Sequence, residues 1–543
     1  MLKLDKLATT TILALASLAF TACADMDDSS AGAGGGIGDD GGGFDDGGGG
    51  DGGGVGDDDD DDGGGGSNPV GPGVGQGGAQ DFGQFRAILE DGGIPGPETL
   101  DDVGFFNEHK IELPAPDCGD DVCIHGALAQ MGNLMTGADC MMVMIGMNTP
   151  IDPAEIERPP LNLAVAVDTS GSMKGEPIEH VREGLFRMVD ALHPDDRVTL
   201  VTFNDGAVVE AELSGGDSAA IEIAIAGLQA EGQTNIYEGL WTAYEAVEHN
   251  ATPGLQNRVL LLSDGEATIG IINDDKIVNL ASALSAEGIA LSTIGLGDSF
   301  DPELMRRLSE VGSGSFYFLE DSAAVEEVFE EEVTALLLPL ATEVEIGLEV
   351  LPGWELRGLY GTKLGDMFSA RADIAIPSLH IAHRESTDDV EHGRRGGGGV
   401  ILAEVMRKPG SSAAESGTIG NLQLEYTIPG TEDTVMQTGE VLWPDADSEQ
   451  YFETEGAEKS FVMLNLYVGF RIASERATVG DDMNALATLQ ALRGGVEGWL
   501  ASNGDFDIED DLRYVDMFIA NLIARGASEP PPNQNPPEPW PQD

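Results

Sequence analysis

The sequence predicts an α/β protein whose centre is a doubly wound, mostly parallel β-sheet. Residues 159–338 alternate continuous apolar runs with amphipathic stretches, which is the pattern of buried parallel strands covered by helices on both faces. Residues 339–455 alternate apolar and polar positions at period two and predict a β-rich domain. Residues 456–527 have helical periodicity and predict a helical C-terminal region, while residues 81–158 form an N-terminal accessory region.

The central region contains five predicted strands with helices between them. The strand segments read LNLAVAV, RVTLVTF, RVLLLS, IALSTIGLG and SFYFL. The helical segments read EPIEHVREGLFRMVDAL, NIYEGLWTAYEAVEH, DKIVNLASALSAEG and DPELMRRLSEV. Because ligands of such sheets bind at the carboxyl ends of the strands, polar residues at those ends are candidates for a functional site.

The flanking regions give shorter signals. Helices are predicted at FGQFRAILED and near residues 100–108, and paired strands at VCIHGALAQM and CMMVMIGM with the loop GNLMTGAD between them. Helices are also predicted at FVMLNLYVGFRIASERA and DLRYVDMFIANLIAR. His380, His383 and His392 are scattered through the β-rich domain, and we expect them to be surface residues and not ligands.

The chain is strongly acidic, with a formal net charge of -70 from 27 Lys and Arg against 97 Asp and Glu. Residues 1–62 contribute -13 of this charge, from 15 Asp and two Lys, so the remainder carries -57. Such a surface repels nucleic acid and anionic lipid and attracts divalent cations and basic partners. We therefore expect no nucleic-acid partner, while adaptation to salt and simple solubility are alternative reasons for the acidity.

The N-terminus predicts export and lipid attachment. A start that contains lysines precedes an apolar run over residues 7–20, which is too short to span a bilayer comfortably, so residues 1–23 are expected to be an export signal. The ending FTAC resembles the lipobox of bacterial lipoproteins, and this resemblance implies lipidation of Cys23; an ordinary cleaved signal is the alternative. Ala24 and Asp25 are compatible with sorting to the outer membrane of a Gram-negative bacterium, which is the expected location in the cell envelope.

Low-complexity segments follow the signal and end the chain. Residues 24–80 are rich in Gly and Asp with few apolar residues, which predicts a disordered tether. A calcium-binding repeat is the alternative, but the aspartates lack the regular spacing of a ligand loop. Residues 528–543 are rich in proline and predict a disordered tail.

Cys118, Cys123 and Cys140 lie in one short region and predict a disulfide with three possible pairings. A zinc site that also includes His125 is the alternative. However, the spacing Cys118-x4-Cys123-x-His125 matches no reliable zinc template.

Three polar loops are predicted at one edge of the central sheet. DTSGS follows the first strand and contains Asp168, Ser170 and Ser172, whereas SDG follows a middle strand and contains Asp264. GQTN precedes a helix and contains Thr234. Two carboxylates and three hydroxyls are hard oxygen ligands that suit Mg²⁺, or alternatively Mn²⁺ or Ca²⁺.

Two carboxylates are too few for a closed cage of protein ligands, so water or an outside ligand must complete the coordination shell. Because the hydroxyls carry no charge, the bound ion is expected to favour an anionic ligand. The expected partner is therefore a protein that offers an Asp or Glu carboxylate.

The segments VAVDTSGSM, GQTNIYEGL and LLLSDGEATIG resemble the three metal-binding loops of von Willebrand factor type A (VWA) domains, which have a Rossmann-like fold and a metal-ion-dependent adhesion site, MIDAS. The resemblance implies that Ser170 and Ser172 bind the metal directly. It also implies that Thr234 binds directly or through a water. The resemblance further implies that Asp168 and Asp264 hold waters that are coordinated to the metal.

The segment FRAILEDGGIPGPETLDDVGFFNEHK resembles the N-terminal extension of the YfbK-like group of bacterial VWA lipoproteins. In that group the VWA domain is also followed by a β-rich part and a helical part. This chain departs from the pattern, since GGAQD stands before the FRAIL helix and three cysteines are added.

These features predict an exported, membrane-anchored binding or adhesion protein that recognises its partner through a divalent cation. A structural or assembly component of the cell envelope is the alternative, and a metal-dependent hydrolase is a further one. A hydrolase needs a base or nucleophile beside the metal, but Glu266 and His180 belong to no recognisable catalytic arrangement. We therefore expect no enzymatic activity and assign no catalytic residue.

Overall fold

The computed structural model describes most of the chain between residues 72 and 528. The described ranges are 72–76, 78–79, 82–152, 159–214, 218–252, 254–264, 267–296, 302–319, 328, 339–382, 398–408, 417–431, 433–443 and 450–528. The predicted signal, Cys23 and nearly all of the predicted tether and tail lie outside the described residues, as do Glu266, His383 and His392.

The described chain contains both strands and helices throughout. The strands are β1 (Val74–Gln76), β2 (Gly78–Ala79), β3 (Cys123–Gly132), β4 (Asp139–Asn148), β5 (Leu161–Asp168), β6 (Arg197–Phe203), β7 (Ala207–Ser214), β8 (Gln256–Ser263), β9 (Ile289–Leu296), β10 (Ser313–Leu319), β11 (Pro339–Val350), β12 (Trp354–Tyr360), β13 (Gly365–Phe368), β14 (Arg371–Ile381), β15 (Ile401–Arg407), β16 (Gly417–Thr427), β17 (Thr434–Trp443) and β18 (Tyr451–Phe452). The α-helices are α1 (Gly83–Glu90), α2 (Asp102–Asn107), α3 (Glu176–Ala191), α4 (Ala219–Ala226), α5 (Ile236–Asn250), α6 (Asp274–Ser285), α7 (Pro302–Val311), α8 (Glu455–Thr478), α9 (Asp482–Leu500) and α10 (Phe506–Arg525).

The central sheet has the strand order β2-β10-β9-β8-β5-β6-β7. β5 pairs in parallel with both β6 and β8, and every residue of β5 is buried. Helices α3 and α4 cover one face of this sheet, and α5, α6 and α7 cover the other. The predicted doubly wound, mostly parallel sheet is confirmed, and the carboxyl end of β5 lies at the middle of one edge.

β7 was not predicted from the sequence. It pairs with β6 in the antiparallel direction at the edge of the central sheet, and Val208 and Val209 are exposed there. An edge strand with one open side does not need the continuous apolar run that marks a buried parallel strand. The apolar pattern by which strands are predicted is therefore weakest for the strand at the edge of the central sheet.

A β-sandwich lies beside the central domain. One of its sheets has the order β1-β14-β11-β16-β17 with β13 added to β14, and the other has the order β12-β15-β4-β3-β18. Apolar residues such as Leu128, Val143, Ile346 and Leu424 fill the space between them. The sandwich combines strands of the predicted accessory region with those of the predicted β-rich domain, because β4 pairs with β15 and β3 with β18.

The predicted hairpin in the accessory region is confirmed, since β3 and β4 pair along their whole length. Next to it, Cys118 and Cys123 form a disulfide, which is one of the three pairings considered. These two sulfurs are therefore not available as zinc thiolates, and the Nε2 atom of His125 lies 2.8 Å from the side-chain oxygen of Asn148. Cys140 is buried within β4.

A helical layer covers the outer face of the five-stranded sheet. Helices α8, α9 and α10 bury their apolar residues there together with α1 and α2 from the accessory region. Thr454 accepts a hydrogen bond from the first turn of α8, and Asp505 does the same for α10, so both helices begin at side-chain caps. The predicted C-terminal helices are confirmed, with α9 as an additional one.

His380 is not a surface residue, and that expectation was wrong. Its side chain is buried at the end of β14, and Nε2 lies 2.8 Å from the hydroxyl of Ser378. Burial, with a smaller contribution from the charge of Arg258 at the start of β8, lowers the pKa of His380 to about 3. The central domain therefore lies close to this end of β14, and the scattered positions of the histidines in the sequence did not reveal this burial.

The last residues of the predicted tether form two short strands. β1 pairs with β14 of the sandwich, and β2 pairs in parallel with β10 of the central sheet. Gln76 donates from its amide to the carbonyl oxygen of Gly361 at 2.7 Å. These strands form through backbone hydrogen bonds to sheet edges, and a glycine-rich sequence does not reveal such pairing.

Candidate metal centre

Asp168 ends β5 and is fully buried. One of its carboxylate oxygens accepts a hydrogen bond from the backbone N–H of Ser170 at 2.8 Å, and the other accepts from the hydroxyl of Ser263 at 2.6 Å. Ser263 ends the neighbouring parallel strand β8. The Asp168 carboxylate is therefore held by its own loop and by the adjacent strand.

Ser170, Ser172 and Asp264 extend this cluster. The hydroxyl oxygens of Ser170 and Ser172 lie 2.9 Å apart, and the Ser172 hydroxyl donates to Asp264 Oδ1 at 2.8 Å. A short 3-10 turn over Gly171–Met173 brings Ser172 to this position. Four of the five predicted ligands, Asp168, Ser170, Ser172 and Asp264, thus form one connected group, which we call the oxygen cluster.

Thr234 is brought to the same edge of the sheet mainly by backbone contacts. The residues before it bond to the first loop, since Gly171 N donates to Gly232 O at 3.1 Å and Glu231 N donates to Thr169 O at 2.7 Å. Thr234 itself is buried. Within the described residues, its hydroxyl forms no hydrogen bond with the oxygen cluster, so the structure places its loop beside the cluster without joining the side chain to it.

The two carboxylates lie in an electrostatically unfavourable setting. Burial, with a smaller contribution from the charge of Asp264, raises the pKa of Asp168 to about 6, although the hydrogen bonds from Ser263 and Ser170 lower it. Burial also raises the pKa of Asp264. A cation between the two carboxylates would offset this cost of burying like charges.

The donor atoms of the cluster fit a hard divalent cation. They are all oxygens: the hydroxyls of Ser170 and Ser172 lie 2.9 Å apart, and the Ser172 hydroxyl lies 2.8 Å from Asp264 Oδ1. No group of three or more His, Cys, Asp or Glu side chains among the described residues could hold a metal ion. Among the described residues, a cation here would therefore have two carboxylates and neutral hydroxyls as its ligands.

Sequence reasoning assigned no role to Ser263 or Thr268. Ser263 fixes Asp168, and the Thr268 hydroxyl accepts a hydrogen bond from Thr234 N at 2.9 Å. The position of Ser263, immediately before Asp264 at a strand end, was the one available signal. Thr268 gave none, because its contact depends on how two loops meet.

The central domain is similar to known proteins. Residues 162–331 match the family model of the von Willebrand factor type A domain. The chain is 32% identical over 201 residues to YfbK of Escherichia coli (strain K12), a match that covers 36% of this chain and 35% of that protein. It is 31% identical over 342 residues to sll0103 of Synechocystis sp., covering 61% of this chain and 78% of that protein.

The chain thus spans about a third of the E. coli relative's length and more than three quarters of the Synechocystis relative's length. Among solved structures, the von Willebrand factor type A protein from Catenulispora acidiphila is 16% identical, with a TM-score of 0.46. That match covers 73% of this chain and 89% of the other.

Proposed function

This chain belongs to the YfbK-like group of von Willebrand factor type A domain proteins, and on that premise we propose that it is a membrane-anchored binding protein that recognises a protein partner through a divalent cation. VWA domains typically mediate protein–protein interactions and commonly bind a divalent cation at a MIDAS. The proposal goes beyond these general properties in three respects: the kind of partner, the bound cation and the membrane anchor.

The oxygen cluster is the observation that carries the proposal. In it, Ser170 and Ser172 would bind Mg²⁺, or Mn²⁺ or Ca²⁺, directly, and Asp168 and Asp264 would hold coordinated waters. Thr234 would bind directly or through a water. A cation in this position supplies a positive charge with few protein anions around it, which favours an Asp or Glu carboxylate of the partner as the completing ligand.

We also propose that the protein is anchored by lipid at Cys23 in the outer membrane of a Gram-negative bacterium. The lipobox-like ending FTAC and the residues after it support this location. In the described part of the chain, every helix is too short or too polar to cross a bilayer.

A binding role is favoured over catalysis. Within the described residues, no His, Cys or Lys side chain forms a hydrogen bond or ion pair with the oxygen cluster. His180 lies in α3 and is engaged in no such contact, while Glu266 is outside the described residues. We therefore assign no catalytic residue.

The test is capture of a partner from the native envelope by the intact protein. Capture should be abolished by EDTA, restored by Mg²⁺ and lost in Asp168→Ala. Asp190→Ala is the matched control, because Asp190 is an exposed carboxylate of α3. Capture that survives EDTA or Asp168→Ala would refute recognition through a metal and favour a structural component of the envelope. Hydrolysis that depends on Mg²⁺ would favour an enzyme.

A further inference from the structure

The loop over residues 267–273, here named the rim loop, packs on the turn that contains Thr234. Thr268 N and Ile269 N both donate to Thr234 O, at 2.9 and 3.2 Å, and Thr234 N donates back to the Thr268 hydroxyl at 2.9 Å. Three hydrogen bonds therefore fix the rim loop to the turn that contains Thr234, which is one of the proposed metal ligands. The loop has a defined position relative to the oxygen cluster.

Gly270 allows this close packing. Its φ is +76°, and a Cβ there would lie 2.4 Å from the side-chain oxygen of Asn235. Asn235 in turn caps α5 by accepting from Glu238 N at 3.3 Å. A side chain at position 270 would therefore push the rim loop away from the turn.

The rim loop presents an apolar surface beside a polar site. Residues 267–272 read ATIGII and contain no charge, in a chain whose net charge is -70. Ile272 is 58% exposed, and Ile269 and Ile271 are half-buried. Among the large apolar side chains that are exposed in the described chain, Ile272 is the one on a loop that contacts the candidate metal centre.

The first loop of the site brings a positive charge close to the oxygen cluster. Lys174 directly follows the 3-10 turn of the first loop and is exposed. Elsewhere the acidic surface repels a ligand that has several carboxylates. A partner segment with a single carboxylate therefore meets less repulsion than a segment with further acidic residues nearby.

We infer that the rim loop and the oxygen cluster form one recognition surface, which takes a lone Asp or Glu of a partner protein with a bulky apolar residue beside it. This inference rests on the proposed function, because the carboxylate reaches the surface through the cation. Ile272 is the specificity-determining residue, and it acts by covering the partner's apolar side chain from water.

The experiment uses an array of eight-residue peptides with Asp at the centre and each neighbouring position varied through all amino acids. A second array has Asn at the centre. The intact protein should bind the Asp peptides in Mg²⁺ but not in EDTA, and it should not bind the Asn peptides. Apolar neighbours should increase the signal about fivefold or more, since each buried apolar group adds to affinity.

The variant Ile272→Asn should lose this apolar preference while it retains Mg²⁺-dependent binding of Asp. The matched control is Ile223→Asn, because Ile223 is 74% exposed on α4, and this control should behave as the wild type. Thermal unfolding of both variants checks that they are folded.

Binding of Asp peptides with no apolar preference, or an unchanged preference in Ile272→Asn, would overturn the inference and leave the proposed function standing. Absence of any Mg²⁺-dependent peptide binding would also overturn it, since the inference requires a linear segment. The proposed function fails separately, when capture of an envelope partner survives EDTA.

Discussion

Ser172 Oγ donates a 2.8 Å hydrogen bond to Asp264 Oδ1, although the two residues are 92 positions apart. A hydroxyl oxygen has two lone pairs, so each serine oxygen uses at most one of them in the 2.9 Å contact between Ser170 and Ser172. Lone pairs of both serine oxygens therefore remain free to bind a cation. This arrangement links the loops after β5 and β8 and orients their oxygens together.

Substitution of Ser172 by Ala should weaken Mg²⁺ binding about tenfold or more, because it removes a ligand and the contact that orients Asp264. Isothermal titration calorimetry of the purified protein measures this change. Ser285→Ala is the matched control, since the Ser285 hydroxyl bonds to Ser313 at 2.8 Å within the same domain. Equal Mg²⁺ affinity in Ser172→Ala and the wild type would contradict the assignment.

Substitution of Asp168 by Asn should leave the protein folded but abolish stabilisation by Mg²⁺. Asn keeps an oxygen that can accept from Ser170 N, whereas the charge is lost. A ligand at 100 times its Kd adds about 2.7 kcal/mol to the free energy of unfolding, and this gain should appear in the wild type alone. Thermal denaturation with and without Mg²⁺ gives the comparison. Asp190→Asn should gain as much as the wild type; the same gain in Asp168→Asn would place the cation elsewhere.

Glu310 should make stability fall as pH rises through neutrality. Burial, together with the charge of Asp101, raises the pKa of Glu310 from 4.5 to about 7, although the charges of Lys363 and Arg306 oppose this rise. The folded state therefore binds this proton more tightly than the unfolded state, so the stabilisation is complete below about pH 4.5 and is lost as pH rises through about 7.

The variant Glu310→Gln should remove this loss and be more stable than the wild type at pH 8, by about 1 to 3 kcal/mol. Urea denaturation between pH 5 and 9 measures the effect. Glu303→Gln is the control, because Glu303 is exposed on the same helix. If Glu310→Gln follows the pH profile of the wild type, the ionisation of Glu310 does not govern this dependence.

The buried pair of His109 and Asp511 should contribute strongly to stability. His109 Nε2 lies 2.7 Å from Asp511 Oδ2, and both side chains are fully buried. Asp511→Ala leaves the imidazole without this partner and should lower the free energy of unfolding by about 3 kcal/mol or more. Asp516→Ala removes an exposed ion pair with Arg493 and should cost about 1 kcal/mol or less. Equal costs in urea denaturation would contradict the prediction.

Much of the central domain could be predicted, because parallel strands buried on both faces are apolar along their whole length. The predicted and observed bounds of β5, β6, β8, β9 and β10 agree within about two residues. The pairing of strands in the sandwich could not be predicted from local patterns, since β4 pairs with β15, which lies more than 250 residues later in the sequence. His380 was misplaced for a similar reason, because it is buried near Arg258 of the central domain, which is distant in the sequence.

The sequence by itself determined that Asp168, Ser170 and Ser172 stand at alternate positions after an apolar strand, since this spacing is a local property. Only the tertiary structure decided that Ser172 contacts Asp264 and that Ser263 contacts Asp168. A hydrogen bond requires its atoms to be within about 3 Å, and neighbours at that distance are set by the parallel alignment of β5 and β8. Spacing along the chain carries no such information.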